Sequence, residues 1–267
     1  MVDSTNRQII VAKNLAAGYR GKAIWSNAYF TINKGEFVVV LGQNGSGKTT
    51  LLRLLLGLMK PLEGSLRILG EQPHRGNPRI GYVPQRRPID SDMTIEALEL
   101  VRLGVNGNHW GFTSTSRVKS ERDKALKALN SVDALNLAHR AIGSLSGGEL
   151  QRVFLAQALV GEVDILLLDE PLANLDVRRE VNLVNIISGV AKSTGVTVLL
   201  IAHDLNPILP VLDRVIYVAR GGIATGTPAE VVTSESLSAL YGAPIEVLRD
   251  SKGRVAVLGT EEAAHHD

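Results

Sequence analysis

Apolar and polar positions follow two rhythms along this chain. Between residues 7 and 41, short strand-like pieces, "QIIVAKNL", "NAYFTI" and "EFVVVL", succeed one another, with Lys34-Gly35 as a turn before the last. Phe37–Leu41 is apolar throughout, as a strand covered on both faces should be. After a glycine-rich loop, "TTLLRLLLGLM" predicts a helix that stops before Pro61, and "SLRIL" (65–69) predicts another strand. From Thr94 to Arg140 apolar residues recur at three- and four-residue spacing. That spacing predicts helices in "TIEALELVRLG" and "SERDKALKALNSVDAL", with "VNGNHWGFTSTS" as a loop between them. Strands return in "DILLLDEP" and "VTVLLIAH", separated by the helix-like "VRREVNLVNIISGVAK". Such alternation is the mark of a parallel α/β core, here with a helical insertion and no clear linker. "DRVIYVARGGIATG" predicts a hairpin around Gly221-Gly222, and the terminal "AAHHD" should fray.

Composition narrows the chemistry. A chain of 267 residues, 45% of them hydrophobic, suits one or two domains with a full core. It has no cysteine, which excludes disulfides and thiolate metal sites. A net charge of +2 gives no electrostatic argument for nucleic acid. "MVDSTNRQII" lacks the apolar core of a secretory signal, and runs such as "VTVLLIA" fall far short of the roughly 18 residues that span a bilayer. The expectation is a soluble, cytoplasmic chain that works at a membrane only if another chain does the spanning.

Three stretches carry chemistry. Gly42-Gln43-Asn44-Gly45-Ser46-Gly47-Lys48-Thr49 fits G-x-x-x-x-G-K-[ST]: glycines let the backbone wrap phosphates, Lys48 neutralises the β- and γ-phosphates, and Thr49 can offer its hydroxyl to Mg²⁺. An ordinary glycine turn would need no strand before it and no helix after it, and this loop has both. "ILLLDE" delivers Asp169 and Glu170 at a strand's carboxyl end, where parallel sheets bind ligands. Adjacent side chains point differently, so Asp169 would approach Mg²⁺ while Glu170 would face an attacking water as general base. Alone, the pair could be two solvated acids; beside a phosphate loop it reads as half of an ATPase. "LSGGELQR" (145–152) reads as a helix start with Ser146 as N-cap and Glu149 closing a capping box. Two glycines would each cost about 1 kcal/mol there. A helix start stripped of side chains is, however, a phosphate grip. The chain therefore holds two such grips.

"LSGGELQR", with the phosphate loop, "LLLDEP" and the downstream His203, resembles the nucleotide-binding subunit of an ABC transporter, across essentially residues 7–245. The resemblance implies an α/β P-loop NTPase core with an N-terminal antiparallel β subdomain, a helical subdomain inserted at about 86–150, and a short tail at 246–267. It implies ATP as substrate and Mg²⁺ as cofactor. ATP would be held by Gly42, Gln43, Asn44, Gly45, Ser46, Gly47, Lys48, Thr49 and Thr50, with Tyr19 stacking on adenine. Thr49, Gln85 and Asp169 would serve Mg²⁺; Glu170, His203, Gln85 and Lys48 would be catalytic. It also answers why there are two grips. In a head-to-tail dimer, Ser146, Gly147, Gly148 and Glu149 of each copy cover the ATP held by the other, and Asp176, ending "LANLD", lies in the loop between subunits. Arg86 and Arg87 follow Gln85 where the family forms a groove for the membrane subunit; a solvated basic loop is the bland alternative. His74, His109, His139, His265 and His266 have no such support and read as surface residues, the last pair at most a metal-binding suggestion.

The ending "SLSALYGAPIEVLRDSKGRVAVLG" resembles manganese/zinc-type importer subunits, whereas "RRPIDSDMT" after Gln85 departs from their usual aromatic and small apolar residues. The expected partners are a second copy, integral membrane permease subunits and an extracytoplasmic substrate-binding protein, with no nucleic acid. The expected place is the cytoplasmic face of the cell membrane. The alternatives are an iron–siderophore or cobalamin-type importer ATPase and, in a different class, a soluble ABC ATPase acting on nucleic acid or ribosomes. A pure ATP binder without turnover is disfavoured by Glu170.

Overall fold

A computed structural model describes residues 8–85, 90–106, 115–219, 221–251 and 253–259. Arg86, Arg87, His109, His265 and His266 lie outside the described residues. The chain divides into two compact units, Met1–Arg75 with Ile201–Asp267, and Gly76–Leu200.

The first unit begins with β1 (Gln8–Tyr19), β2 (Lys22–Asn33), β3 (Phe37–Leu41), α1 (Lys48–Leu55) and β4 (Glu63–Ile68). The second carries β5 (Ile80–Val83), α2 (Ala97–Asn106), α3 (Thr115–Ser131), α4 (Gly147–Leu159), β6 (Ile165–Asp169), α5 (Val177–Thr194) and β7 (Thr197–Ile201), whose last residue returns the chain to the first unit. There follow β8 (Arg214–Ala219), β9 (Gly222–Gly226), α6 (Pro228–Val231), α7 (Ser234–Tyr241), β10 (Ile245–Arg249) and β11 (Val255–Gly259).

In the first unit β2, β1 and β4 form an antiparallel sheet in that order, the N-terminal antiparallel subdomain that the family resemblance implies. β3, buried at every residue, pairs in parallel with β8, and β8 turns into β9 as the expected hairpin. Ser26 N–H donates to Gly221 O and Gly221 N–H to Ile24 O, so this hairpin's turn is stitched to β2. Helix α1 stops at Leu55, short of Pro61, where the Leu58 N–H closes back on Arg53 O at 2.8 Å. Two pairs of elements in this unit were not predicted by the apolar pattern. One is the α6–α7 pair, each helix capped by a threonine, Thr227 and Thr233. The other is the antiparallel hairpin β10–β11 within the span read as a tail.

In the second unit β5 and β6 pair in parallel, with β7 beside β6. β6 is buried until its last residue, Asp169. Helices α2, α3 and α4 pack together, and the Gln157 side chain on α4 donates to the Leu100 carbonyl on α2 at 3.1 Å.

The entry to β3 is fixed by charge. Glu36 accepts from Arg214 at 2.9 and 3.2 Å and from Asn33, while Asp213 accepts from the Phe37 N–H at 2.7 Å. Burial pushes the Glu36 carboxyl up, but the Arg214 and Asn33 hydrogen bonds outweigh it, and the group sits below the usual glutamate range. The Arg214 guanidinium is correspondingly pushed up by Glu36. A carboxyl lowered on folding contributes stability above its unfolded pKa and loses it as pH falls through the folded one. Glu36→Gln should therefore cost about 1–2 kcal/mol at neutral pH, measured by urea denaturation. The gap to wild type should close as pH is taken below the glutamate range; a gap that is constant with pH would refute the pairing.

Candidate functional site: a phosphate loop and a second anion grip

β3 ends in the loop that precedes α1, and two contacts dictate its path. Gly42 has φ 145°, and a Cβ there would lie 2.1 Å from the Val218 carbonyl oxygen, so only glycine lets the loop leave the strand against β8. Gly47 has φ 105° and rests on the fully buried Trp25, whose indole nitrogen would stand 2.6 Å from an added Cβ. Between them Ser46 N–H donates to Gln43 O at 3.2 Å. Lys48, only 6% exposed, donates its ammonium to Gly42 O at 2.7 Å and Gln43 O at 3.0 Å. The buried Ser46 Oγ has no hydrogen-bond partner among the described residues. A loop with an ammonium, the N-terminus of α1 and a spare buried hydroxyl is chemically suited to phosphate oxygens.

Tyr19, at the end of β1, is 46% exposed, and its hydroxyl accepts from Arg53 at 2.8 Å. The Thr50 hydroxyl above all, then Arg53, lowers the phenol's pKa from its ordinary value. His203 is exposed and follows Ala202, whose N–H donates to Val40 O at 3.2 Å on β3. His203 and Gly42–Asn44 line one cavity of ≈420 Å³. Thr49 is exposed and Thr50 buried in the first turn of α1.

The second unit gathers a different set. Gln85, just past β5, donates its side-chain amide to the Glu170 carboxylate. Glu170 follows β6 with φ 49°, a left-handed backbone that a glutamate adopts only when its surroundings impose it. Its neighbour Asp169 accepts from the Tyr82 hydroxyl at 3.5 Å. Gln85, Glu170 and Gly147 line one cavity of ≈290 Å³ with Asn174 and Leu175.

Helix α4 opens as the sequence predicts, with Ser146 as N-cap and a complete capping box. Glu149 Oε2 accepts from the Ser146 N–H and hydroxyl, each at 2.8 Å, and Oε1 from Arg140 at 2.7 Å. Arg140 also donates to the Ser144 carbonyl at 3.1 Å. The Ser146 N–H first, then its hydroxyl and Arg140, hold the Glu149 carboxyl below its usual range. Gly147 and Gly148 have nothing within 4 Å of where a side chain would start, so the opening of α4 is bare of side chains at both positions. Asp176 caps α5, accepting from Arg179 N–H at 3.0 Å and pairing with its guanidinium at 3.1 Å. Of the surface histidines, His139 pairs with Glu96 at 2.9 Å and His74 Nδ1 lies 3.4 Å from the Arg75 carbonyl.

Each unit thus assembles part of the expected site: the phosphate loop with His203 in one, Gln85 with Glu170 and Gly147 in the other. Sequence reasoning overlooks Trp25 beneath Gly47 and Arg140 behind Glu149. Neither has a local signal, since each is defined by what the fold brings to it.

The sequence profile of the ABC transporter family matches residues 25–173. A zinc import ATP-binding protein, ZnuC, of Jannaschia sp. (strain CCS1) is 35% identical over 88% of this chain and 88% of its own. A manganese transport system ATP-binding protein, MntB, of Bacillus subtilis (strain 168) is 34% identical over 89% of this chain and 94% of its own. Among solved structures, a metal-chelate type ABC transporter in an inward-facing conformation matches with a TM-score of 0.78 and 27% identity, covering 96% of this chain and 98% of that one. A dimeric ATP-binding cassette in a post-hydrolysis state, bound to ADP and phosphate, matches with a TM-score of 0.67 and 27% identity over 82% and 98%.

The loop geometry sets a test. Gly42→Ala forces a side chain into the Val218 carbonyl and should weaken ATP binding by about tenfold or more, read by titration with a fluorescent ATP analogue. Unchanged affinity would mean that the Gly42 path is not the binding conformation.

Proposed function

The chain belongs to the ABC transporter family, and we propose that it is the ATP-hydrolysing subunit of an importer of zinc or manganese. It acts as a head-to-tail pair beneath separate permease subunits, on the cytoplasmic face of the membrane, supplied by an extracytoplasmic binding protein. No helix among the described residues is long and apolar enough to cross a membrane, which suits a subunit that leaves the spanning to others. The metal assignment rests on the zinc and manganese relatives. One observation carries hydrolysis over mere binding: the Gln85 amide holds the carboxylate of Glu170, whose backbone is itself forced into a left-handed conformation. A solvated acid at a strand end needs neither.

In this reading the triphosphate lies along Gly42–Thr50, Tyr19 stacks on adenine, and Lys48 shifts its ammonium from the Gly42 and Gln43 carbonyls to the β- and γ-phosphates. Thr49, Gln85 and Asp169 offer only oxygen donors, the set a hard cation takes, and would hold Mg²⁺. That ion, when bound, neutralises charge on the phosphate oxygens. Glu170 takes a proton from water as its oxygen bonds to the γ-phosphorus. The bond from that phosphorus to the bridging oxygen breaks, leaving ADP and phosphate. His203 donates to the γ-phosphate and orients it. Ser146, Gly147 and Gly148 of the second copy, backed by Glu149, close over the same phosphate with their N–H groups and hydroxyl, and Asp176 lies at the subunit boundary. Charge-assisted contacts of this kind, made away from water, supply the free energy of closure. Gln85, which holds the catalytic carboxylate, senses the permease and so links the two events.

Glu170→Gln should keep ATP binding, lower turnover by about 100-fold or more, and trap an ATP-bound dimer visible by size exclusion. Sustained wild-type hydrolysis in that variant would remove Glu170 from the mechanism. With the co-purified permease in vesicles, ATP should drive uptake of zinc or manganese; uptake of iron–siderophore or cobalamin instead would keep the ATPase and overturn the cargo.

A further inference from the structure

His203 needs a steady orientation, yet it sits exposed on a loop just past a strand end. The loop's inner residues are apolar anchors: Leu205 is 6% exposed and Ile208 fully buried. Its polar anchor is Asn206. Asp204 Oδ1 accepts from both the backbone N–H and the side-chain amide of Asn206, at 2.9 and 2.8 Å. The Asn206 side chain then reaches β11, donating to the Val255 carbonyl at 3.0 Å and accepting from the Val255 N–H at 2.7 Å. The carboxamide thus occupies both main-chain groups of one strand residue, as a neighbouring strand would. Two such bonds, one in each direction, fix the position and rotation of the side chain.

What Asn206 grips is itself rigidly mounted. Ser234 and Ser238 on α7 accept from the Val247 and Ile245 N–H groups, both at 2.8 Å. Arg249 donates to the Val232 carbonyl at 3.1 Å, and an Arg254–Asp250 pair at 2.6 Å braces the turn between β10 and β11. The hairpin register places Val247 opposite Val257 and Arg249 opposite Val255. Tyr241, Ile245 and Val255 share the lining of the ≈420 Å³ cavity with Gln43, Asn44 and His203. Tyr241 packs edge-on against Tyr217, ring centroids 5.9 Å apart.

We propose that the C-terminal hairpin β10–β11 is a positioning element for ATP hydrolysis, holding the His203 loop through Asn206 at a set distance from the phosphate loop. Asn206 does not reach the phosphates; it acts through His203, and the inference rests on the role proposed above for that histidine. The hairpin thereby gains a function that its sequence, read as a tail, does not suggest.

The test is a double-mutant cycle on the full chain assembled with its permease. Asn206→Ala should lower kcat for ATP by about tenfold, as displacement of a positioned group does, while KM for ATP stays within about twofold. Hydrogen exchange at residues 204–208 should quicken. In a His203→Ala background, measured by single turnover, Asn206→Ala should cause no further loss. A second variant, Ser234→Ala with Ser238→Ala, loosens the hairpin away from the loop and should give a smaller fall in kcat with the same dependence on His203, so the test survives if Asn206→Ala does not fold. Wild-type kcat in both variants would overturn the inference, as would an undiminished loss in the His203→Ala background. His203→Ala hydrolysing at the wild-type rate would refute the catalytic reading of His203 itself, and the inference with it.

Discussion

A nearly buried ammonium needs oxygen around it, because an unpaired buried charge costs several kcal/mol. Lys48 meets that demand with the carbonyls of Gly42 and Gln43. To bring those carbonyls inward, the chain must leave β3 against the Val218 carbonyl, which only a residue without a Cβ can do. The loop must then settle on Trp25 through Gly47 before α1 begins. The apolar strand, the two glycines, the buried tryptophan and the helix start together hold one cation against those carbonyls, from which, in the proposed function, it would turn to a triphosphate.

The second unit solves the complementary problem of holding acids and bare N–H groups in place. Glu170 is given a left-handed backbone and a partner amide from Gln85. Glu149 is tied on one oxygen to the start of α4 and on the other to Arg140, so the helix opens with Gly147 and Gly148 uncovered and still well capped. The capping box offsets the cost of the glycines, and the glycines leave the helix start bare for the anion that the proposed function places there. In the function proposed above, each ATP takes both devices, one from each copy.

The parts of this arrangement that are local were legible in the sequence. Glycine and lysine spacing in "GQNGSGKTT" marks a loop because the chemistry is carried by adjacent residues, and the Ser146–Glu149 box spans three positions of one helix. Apolar strands such as Phe37–Leu41 and Ile165–Asp169 announce themselves by composition. Less was legible where partners are distant in sequence. The short β5 is hidden in "RIGYVPQ" because four residues show no period, and α6 is announced only by Thr227-Pro228 with Glu230. Trp25 under Gly47 and Asn206 on Val255 join residues 22 and 49 positions apart. No spacing rule reaches that far. The β10–β11 hairpin alternates too weakly around its turn to separate it from a frayed end, and its order comes from α7 and Asn206.

In the proposed dimer each ATP is completed by the Lys48 loop of one copy and the Ser146 grip of the other. Lys48→Ala and Ser146→Arg each disable both sites of a homodimer. If the two variants are co-expressed with different tags and isolated as mixed pairs, one site receives both lesions and the other receives none. The mixed pair should hydrolyse ATP at about half the doubly tagged wild-type rate, given independent sites in a two-fold pair, while each variant alone stays inactive. A mixed pair as inactive as its parents would place both grips on one chain's own nucleotide and rule out the shared site.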